Sequence, residues 1–381
     1  MNPQEERYPV DTLKAAEHRV KALFFALFRV LLKKGRSGQV PLDGRKMRKV
    51  LFLRPESKIG DLVISLPVFD ALHRHFPGIR IAVMCSPRNV ALIEEDPRFE
   101  RIFLYRKNLW RDIREVLRIR REGFDCVLDL LCDDSVTSLF LSRFCSRGKP
   151  RIGVGKRKYA RYYEFNRYNA VDESRHIIAN TLHLLDAFGI DSQKETGYAP
   201  PFISGRSEAV AEDFFQRLAP PASDGSLIGI NLSAGAPSRL WAREKQVALI
   251  ERIGRHDPGA RFVVITVPSD RERGRWLCER FPGRLALVPN HLSIVDVAAI
   301  IRKLDLLITP DTALVHVARA FEVPVVSMYP GVKKNTVLWR PYGQETGFVV
   351  ARHYGNIFDI TVEQAFGAFM EIRPAKRKVS G

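Results

Sequence analysis

Short apolar runs alternate with longer amphipathic stretches through most of the chain. In the first half, apolar runs of strand length occupy residues 50–53, 79–84, 101–105 and 126–130. Apolar residues at helical spacing predict helices between these runs, notably at 62–76 and 108–122. Strand–helix alternation of this kind is typical of a parallel sheet with helices on both faces.

The same alternation resumes after residue 200. Turn residues at 200–201 and 219–226 interrupt the pattern first. Further strands are then predicted at 227–232, 262–267, 285–288, 304–309 and 323–329. We therefore predict an α/β fold with two Rossmann-like domains, residues 50–200 and 201–381, that face a central cleft.

Residues 1–49 form a basic N-terminal extension. Within it, residues 13–34 have apolar side chains at helical spacing and several lysines and arginines. The apolar run at 22–28 is much shorter than the ~20 residues that span a bilayer. An amphipathic helix on a membrane surface and a helix packed on the protein's own core are both open interpretations. The run at 375–378 is expected to be a solvated basic tail.

The charge of the chain narrows the choice of partner. A net charge of +18 and a pI of about 9.9 indicate an anionic partner, such as nucleic acid, phospholipid or a phosphorylated substrate. The five cysteines are scattered without a C-x-x-C pair, so neither a disulfide framework nor a zinc site is predicted. The scattered cysteines, and the absence of a recognisable secretory signal in the sequence, favour a reduced, cytoplasmic compartment.

The first candidate for chemistry directly follows the first predicted strand, at Lys58-Ile59-Gly60-Asp61. Ligands of open α/β sheets bind beyond the carboxyl ends of the strands, so this loop is expected to face the cleft. Gly60 permits close approach of backbone, and Asp61 is either a reactive carboxylate or a helix N-cap. A G-x-G-x-x-G fingerprint is missing here, so no dinucleotide or other cofactor is predicted.

The second candidate follows the first strand of the second half. Ser233 lies among small residues, and Arg239 follows soon after. A hydroxyl, exposed backbone and an arginine suit a phosphate cradle, because arginine binds phosphate oxygens bidentately. A plain loop with a surface arginine is the alternative.

The third candidate is the stretch 309–320, where a strand ends and Asp311 and Thr312 open a helix. The free N–H groups at such a helix start form a site for pyrophosphate. His316 lies about one turn beyond Thr312, on a similar face. The alternative is that Asp311 and His316 are capping and core residues.

Together, these stretches resemble the heptosyltransferase family of lipopolysaccharide core biosynthesis (glycosyltransferase family 9), over about residues 50–343. The string Asp-Thr-Ala-x-x-His-x-Ala-x-Ala at 311–320 is its most specific part. The resemblance implies a GT-B fold, with the acceptor site in the first domain and the nucleotide-sugar site in the second. It further implies inverting, metal-independent transfer of heptose from ADP-heptose to the inner-core (Kdo/heptose) region of a lipid A precursor.

The resemblance also assigns roles to residues. Asp61 matches the family's catalytic aspartate, and Arg239 stands where relatives usually have a phosphate-binding lysine. Ala313 replaces a frequent glycine, and Ala242 replaces a proline. The residues expected to bind the donor are Ser233, Asp270, Asp311, Thr312, Ala313 and His316.

Basic residues of the first half are expected to bind an anionic, lipid-linked saccharide acceptor, and solvated surface positions are the alternative for the clusters at 101–121 and 151–161. The candidates are Lys58, Lys156, Arg157 and Lys158. Asp133 and Asp134 are interpreted as loop residues, and no metal site is predicted. The enzyme is expected on the cytoplasmic face of the inner membrane, as a peripheral protein without a nucleic-acid partner. The alternatives are a protein or another glycan as acceptor, or a basic RNA- or membrane-binding module with a degenerate site.

Overall fold

The computed structural model describes residues 42–167, 173–218 and 225–372. The predicted helix at 13–34 and the basic tail at 375–378 lie outside these ranges. Within them, no helix combines the length and the apolar character needed to cross a bilayer.

The first domain is built on a parallel sheet. Its strands are β1 (Lys49–Arg54), β2 (Arg80–Cys85), β3 (Phe99–Leu104), β4 (Cys126–Asp129), β5 (Arg151–Val154) and β6 (Phe165–Arg167). Its helices are α1 (Ile59–Val63), α2 (Leu66–His75), α3 (Pro87–Val90), α4 (Leu109–Glu122), α5 (Val136–Cys145) and α6 (Ile177–Leu182). The strand order is β3-β2-β1-β4-β5-β6.

The second domain repeats this architecture. Its strands are β7 (Leu227–Asn231), β8 (Arg261–Ile265), β9 (Leu285–Leu287), β10 (Leu306–Pro310), β11 (Val325–Tyr329) and β12 (Phe348–Val350). Its helices are α7 (Gly205–Gln216), α8 (Arg243–His256), α9 (Arg271–Arg280), α10 (Ile294–Arg302), α11 (Ala313–Ala320), α12 (Lys333–Trp339) and α13 (Val362–Ile372). The order β12-β11-β10-β7-β8-β9 is that of the first sheet, counted from each domain's first strand.

All the strands are parallel, but in each sheet the strand order reverses beside the first strand. The reversal lies between β1 and β4 in one sheet and between β7 and β10 in the other. Such a switch point leaves a crevice at the carboxyl ends of the strands, where α/β proteins bind ligands. Each domain therefore offers one ligand crevice.

Strand β1 shows why the apolar runs of this chain are continuous. Leu51 and Leu53 pack in the layer that contains Ile119 of α4, whereas Phe52 points to the opposite face. There the Phe52 ring meets the Phe69 ring of α2 edge-on, with 4.7 Å between centroids. Because helices cover both faces, every residue after Lys49 in this strand is buried.

The prediction of an α/β fold with two parallel sheets is confirmed, but two local predictions need correction. The single helix predicted at 62–76 is two helices, because Pro67 opens α2 and has no N–H to continue the helix before it. The N-terminal extension predicted at 1–49 does not reach residue 49. Residues 42–47 already belong to the first domain, where the Leu42 N–H donates to the Ala187 carbonyl at 2.7 Å.

Strands β5, β6 and β12 were not predicted. Each has only three or four residues, and charged or polar side chains occur in β5 and β6. Neighbouring strands, and not a local apolar pattern, therefore determine where they form.

Candidate active site

Helix α1 of the first domain packs directly on helix α11 of the second domain. A Cβ atom at Gly60 would lie 3.2 Å from Ala313 Cα and 3.3 Å from His316 Cδ2. A side chain at residue 60 would thus force a neighbour on α11 to shift by a few tenths of an ångström. We call this contact of Gly60 with Ala313 and His316 the interdomain joint.

Histidines complete the interdomain joint. His176 accepts a hydrogen bond from the Ile178 N–H and donates one from Nε2 to the Arg340 carbonyl of the other domain, at 2.8 Å. Its ring centroid lies 6.1 Å from that of His316. Burial lowers the pKa of His176 to about 3 and the pKa of His316 to about 4. Both rings are therefore neutral at pH 7 and pack as core side chains.

Beside the joint, a cavity of about 430 Å³ opens between the two domains. The first domain contributes most of its lining, and the second contributes Leu338 and Trp339. The charged lining residues include Arg54, Glu56, Lys58, Asp61, Asp133 and Arg157. The cavity is large enough for part of a saccharide, and its charged walls suit a polar ligand.

Asp61 lies in the first turn of α1, and its carboxylate lines this cavity. Lys58, and not Asp61, occupies the N-cap position, so the capping interpretation of Asp61 does not apply. The Asp61 Oδ2 atom forms an ion pair with Arg54 Nη2 at 3.1 Å. Arg54 is itself held by the Leu130 carbonyl at 2.7 Å from Nη1. The carboxylate is therefore fixed in orientation at the wall of the cavity.

Glu56 is a site residue that the sequence analysis missed. Its side chain lines the same cavity, 3.8 Å from Arg54 Nε. Burial raises the pKa of Glu56, and the neighbouring Asp129 and Asp61 raise it further, against the effect of Arg54. Its position five residues before Asp61 and directly after a strand was the available signal.

Lys156 does not have the role predicted for it. Its side chain is fully buried, and its ammonium forms an ion pair with Asp129 Oδ2 at 2.8 Å. It also donates to the carbonyls of Leu131 and Asp133, each at 2.7 Å. With all three donors used inside the domain, Lys156 supports the loop that lines the cavity and cannot contact an acceptor directly.

The neighbouring basic residues are exposed. Arg157 lines the cavity, and its role in binding an acceptor stays a prediction. Lys158 lies over the Tyr159 ring, with 5.5 Å from Nζ to the centroid. Asp134 accepts hydrogen bonds from the backbone N–H groups of Lys158 and Tyr159 and is therefore a loop residue.

The two loops predicted to bind phosphate are held together by Asn231 at the end of β7. Its amide nitrogen donates to the Ser233 carbonyl and to the hydroxyls of Thr309 and Thr312, at 2.9–3.3 Å. Ser233 is buried, and its hydroxyl accepts from the Val267 N–H at 2.9 Å. Asn231, which sequence analysis did not single out, thus joins the two predicted phosphate loops.

Arg239 and Asp311 form an ion pair across these loops. Arg239 Nη1 lies 2.9 Å from Asp311 Oδ2 and also donates to the Asp311 carbonyl at 3.0 Å. Burial raises the pKa of Asp311, whereas Arg239 and Lys58 lower it. Lys58 belongs to the first domain and lines the cavity, so its charge acts on the Asp311 carboxylate from across the cleft.

Thr312 caps α11, and its hydroxyl accepts from the Leu314 N–H at 3.3 Å. Ala313 begins the helix at the interdomain joint, next to this cap. The helix N-terminus therefore points its free N–H groups to the place where the two domains meet. Asp270 lies apart, at the start of α9 beyond β8, and makes no capping hydrogen bond through its side chain.

This arrangement defines a class of site. One domain presents a carboxylate, and the other presents a helix N-terminus and an arginine, with the interdomain joint between them. Two similar Rossmann-like domains with such a cleft can each hold a ligand at the carboxyl ends of the strands, so that the two ligands face each other at the joint.

Comparison with known proteins agrees with a site in the cleft between two Rossmann-like domains. Residues 113–367, about two thirds of the chain, match glycosyltransferase family 9 (heptosyltransferase). Lipopolysaccharide heptosyltransferase 3 of Escherichia coli K12 is 22% identical over 303 residues, covering 74% of this chain and 82% of that protein. The chain belongs to glycosyltransferase family 9, and it is a glycosyltransferase with the GT-B fold.

Solved structures support the fold. A family 9 glycosyltransferase from Veillonella parvula has a TM-score of 0.72 at 18% identity, covering 87% of this chain and 98% of that one. The structure described as E. coli heptosyltransferase WaaC with ADP has a TM-score of 0.64 at 18% identity, covering 85% and 97%. The family match begins at residue 113, so it does not include Lys58, Gly60 or Asp61.

The interdomain joint gives a direct prediction. In Gly60→Ala, the new Cβ must push α11 away by a few tenths of an ångström. Such overpacking costs ~1–3 kcal/mol, so kcat/KM should fall about 5- to 150-fold if the joint forms the active state. The measurement is steady-state transfer by the purified variants.

Two further variants make this test specific. Gly78→Ala is the matched control, because a Cβ at Gly78 meets nothing within 4 Å. Ala313→Gly should restore little activity to Gly60→Ala, because the closest atom, Ala313 Cα at 3.2 Å, belongs to the backbone and remains. Equal activities of Gly60→Ala and Gly78→Ala would show that the joint does not matter for transfer.

Proposed function

We propose that this chain transfers heptose from ADP-heptose, with inversion and without a metal ion, to the inner-core (Kdo/heptose) region of a lipid A precursor. We place the reaction at the cytoplasmic face of the inner membrane. The observation that carries the proposal is the interdomain joint, because it makes Asp61 of one domain a near neighbour of the α11 N-terminus of the other. The family membership and the heptosyltransferase names of the relatives support the choice of sugar.

The donor fits the second domain through its diphosphate. The N–H groups at the start of α11 bind phosphate oxygens, and the helix dipole favours their negative charge. Arg239 is fixed by Asp311 through Nη1, so its remaining N–H groups are oriented for diphosphate oxygens. Lys58 adds a second positive charge from across the cleft. These groups offset the charge that develops on ADP as it leaves, which is the task a metal performs elsewhere.

The acceptor fits the cavity of the first domain. Its hydroxyl gives its proton to the Asp61 carboxylate while its oxygen attacks the anomeric carbon of the heptose. ADP leaves from the opposite face of that carbon, so the configuration inverts. Arg54 holds the carboxylate in place at 3.1 Å, and Arg157 suits an anionic group of the acceptor. The membrane location rests on the lipid-linked acceptor and on the sequence of residues 13–34.

Replacement of the proposed base gives the first test. Asp61→Asn keeps the shape of the side chain but cannot take a proton, so kcat should fall ~10²–10⁴-fold. The dissociation constant for ADP, measured by calorimetry, should stay nearly unchanged. Glu56→Gln is the comparison variant, because Glu56 lines the same cavity. Loss of turnover in Glu56→Gln with an active Asp61→Asn would assign the base to Glu56 instead.

The donor side gives the second test. Arg239→Ala should both weaken ADP binding and lower kcat, because the diphosphate charge grows in the transition state. Arg239→Lys, which restores the residue usual in the family, should recover much of the activity. Arg255→Ala, an exposed arginine on α8, is the matched control. Turnover of the unaltered protein should continue in EDTA, and a strict need for added divalent cation would contradict a metal-free reaction.

A further inference from the structure

Helix α4 of the first domain exposes an unusual amount of apolar surface. Leu109 is 68% exposed, Trp110 74%, Ile113 42% and Leu117 48%. At 3.6 residues per turn, these four side chains lie within an arc of about 100° on one side of the helix. The opposite side is anchored in the domain core by Ile119, which is fully buried. The apolar residues therefore form a continuous stripe on the outside of a well-anchored helix.

A row of arginines runs beside this stripe. Arg111, Arg114, Arg118 and Arg121 are all exposed. They occupy the next ~80° of the helix, adjacent to the apolar arc. We call the apolar stripe and this arginine row together the α4 patch.

The acidic residues of α4 do not cancel this charge. Asp112 is buried and accepts hydrogen bonds from the backbone N–H groups of Arg106 and Asn108, at 2.8 and 2.9 Å. Glu122 is paired with Lys49 at 2.8 Å and with Arg101 at 3.4 Å, so only part of its charge acts on the row, through Arg118. Glu115 pairs with Arg118 at 3.1 Å and is shielded from solvent. The other three arginines of the row form no ion pair within the described parts of the chain.

This combination fits the surface of an anionic bilayer. An interfacial helix buries its apolar side in the acyl boundary and keeps its cations at the level of the headgroups, with tryptophan at the interface. An RNA strand would need several stacking platforms, and Trp110 is the only aromatic residue in a stripe otherwise made of leucine and isoleucine. A second copy of the chain would bring two rows of arginine together, which like charge opposes.

We propose that the α4 patch docks the enzyme on anionic phospholipid. The proposal deepens the proposed function and rests on it for one point, that the acceptor is lipid-linked. Helix α4 starts just beyond the carboxyl end of β3, on the same edge of the sheet as the active-site cavity. Two strand spacings, about 10 Å, separate β3 from β1. Docking by this surface would therefore hold the acceptor cavity close to the headgroups.

Trp110 provides a direct probe of the contact. The other tryptophans, Trp241, Trp276 and Trp339, belong to the second domain and are buried or half-buried. With phosphatidylcholine–phosphatidylglycerol vesicles, fluorescence of the full chain should shift to the blue and be quenched by brominated acyl chains. In Trp110→Phe this response should disappear while the protein still sediments with vesicles. The proposal would be overturned if the full chain bound vesicles but its fluorescence quenching did not depend on Trp110. Another segment, such as 13–34, would then make the contact.

Charge reversal tests the same surface independently. The double substitution Arg114→Glu and Arg121→Glu should weaken vesicle binding at least tenfold, since each basic residue near the surface contributes ~1 kcal/mol. Arg255→Glu and Phe358→Ser alter exposed residues of the second domain and should leave binding unchanged. Unchanged binding in the double variant would contradict the proposal. The proposal would also be contradicted if the unaltered protein were a dimer and the double variant a monomer, since the patch would then be a self-association face.

Vesicle binding and turnover can be tested separately. Turnover of a lipid-free acceptor fragment, without vesicles, should be the same in the α4 variants and in the unaltered protein. If the unaltered protein turned over its substrates but did not bind vesicles, only the proposal of a docking surface would be wrong. If the unaltered protein did not turn over ADP-heptose, the proposed function would be wrong instead.

Discussion

The contact between the two domains depends on how closely helices α1 and α11 approach across the cleft. Gly60 lies so close to Ala313 that a Cβ atom on residue 60 would force a neighbour to shift by a few tenths of an ångström. The residue after Gly60 is the proposed base, and the residue before Ala313 caps the helix that is expected to bind diphosphate. The two neutral histidines beside them keep the joint free of charge that would have to be solvated. Small changes in this packing would therefore alter the distance between acceptor and donor.

Buried charge supports the acceptor side of the cleft. Lys156 and Asp129 are both fully buried, and Tyr163 donates to the same Asp129 oxygen at 2.7 Å. Removal of one partner of such a pair typically costs ~3–5 kcal/mol, because the other charge is left uncompensated. The network holds the carbonyls of Leu131 and Asp133 and thereby shapes the cavity wall. A cluster of lysine and arginine in sequence thus contains both structural residues and residues able to meet a ligand.

The sequence predicted the fold well because both sheets are buried on two faces, which leaves continuous apolar runs such as β1. It also predicted that the loop at Gly60 and the helix start at Thr312 face a cleft, since both directly follow strands. It could not separate buried Lys156 from exposed Arg157, because adjacent residues share one local pattern and differ only in tertiary contacts. Asn231 was missed for the same reason, because the fold brings its partners Thr309 and Thr312 to it. Glu56 was missed because the cavity that it lines is formed by distant parts of the chain.

A structure of the protein with ADP and a lipid-free inner-core acceptor fragment tests the central claim most directly. We expect the diphosphate oxygens within hydrogen-bond distance of the backbone N–H groups at the start of α11 and of the Arg239 guanidinium. The acceptor hydroxyl should lie ~2.6–3.2 Å from the Asp61 carboxylate, the reach that a general base requires. A diphosphate bound away from α11, or an acceptor hydroxyl that contacts Glu56 and not Asp61, would contradict the account.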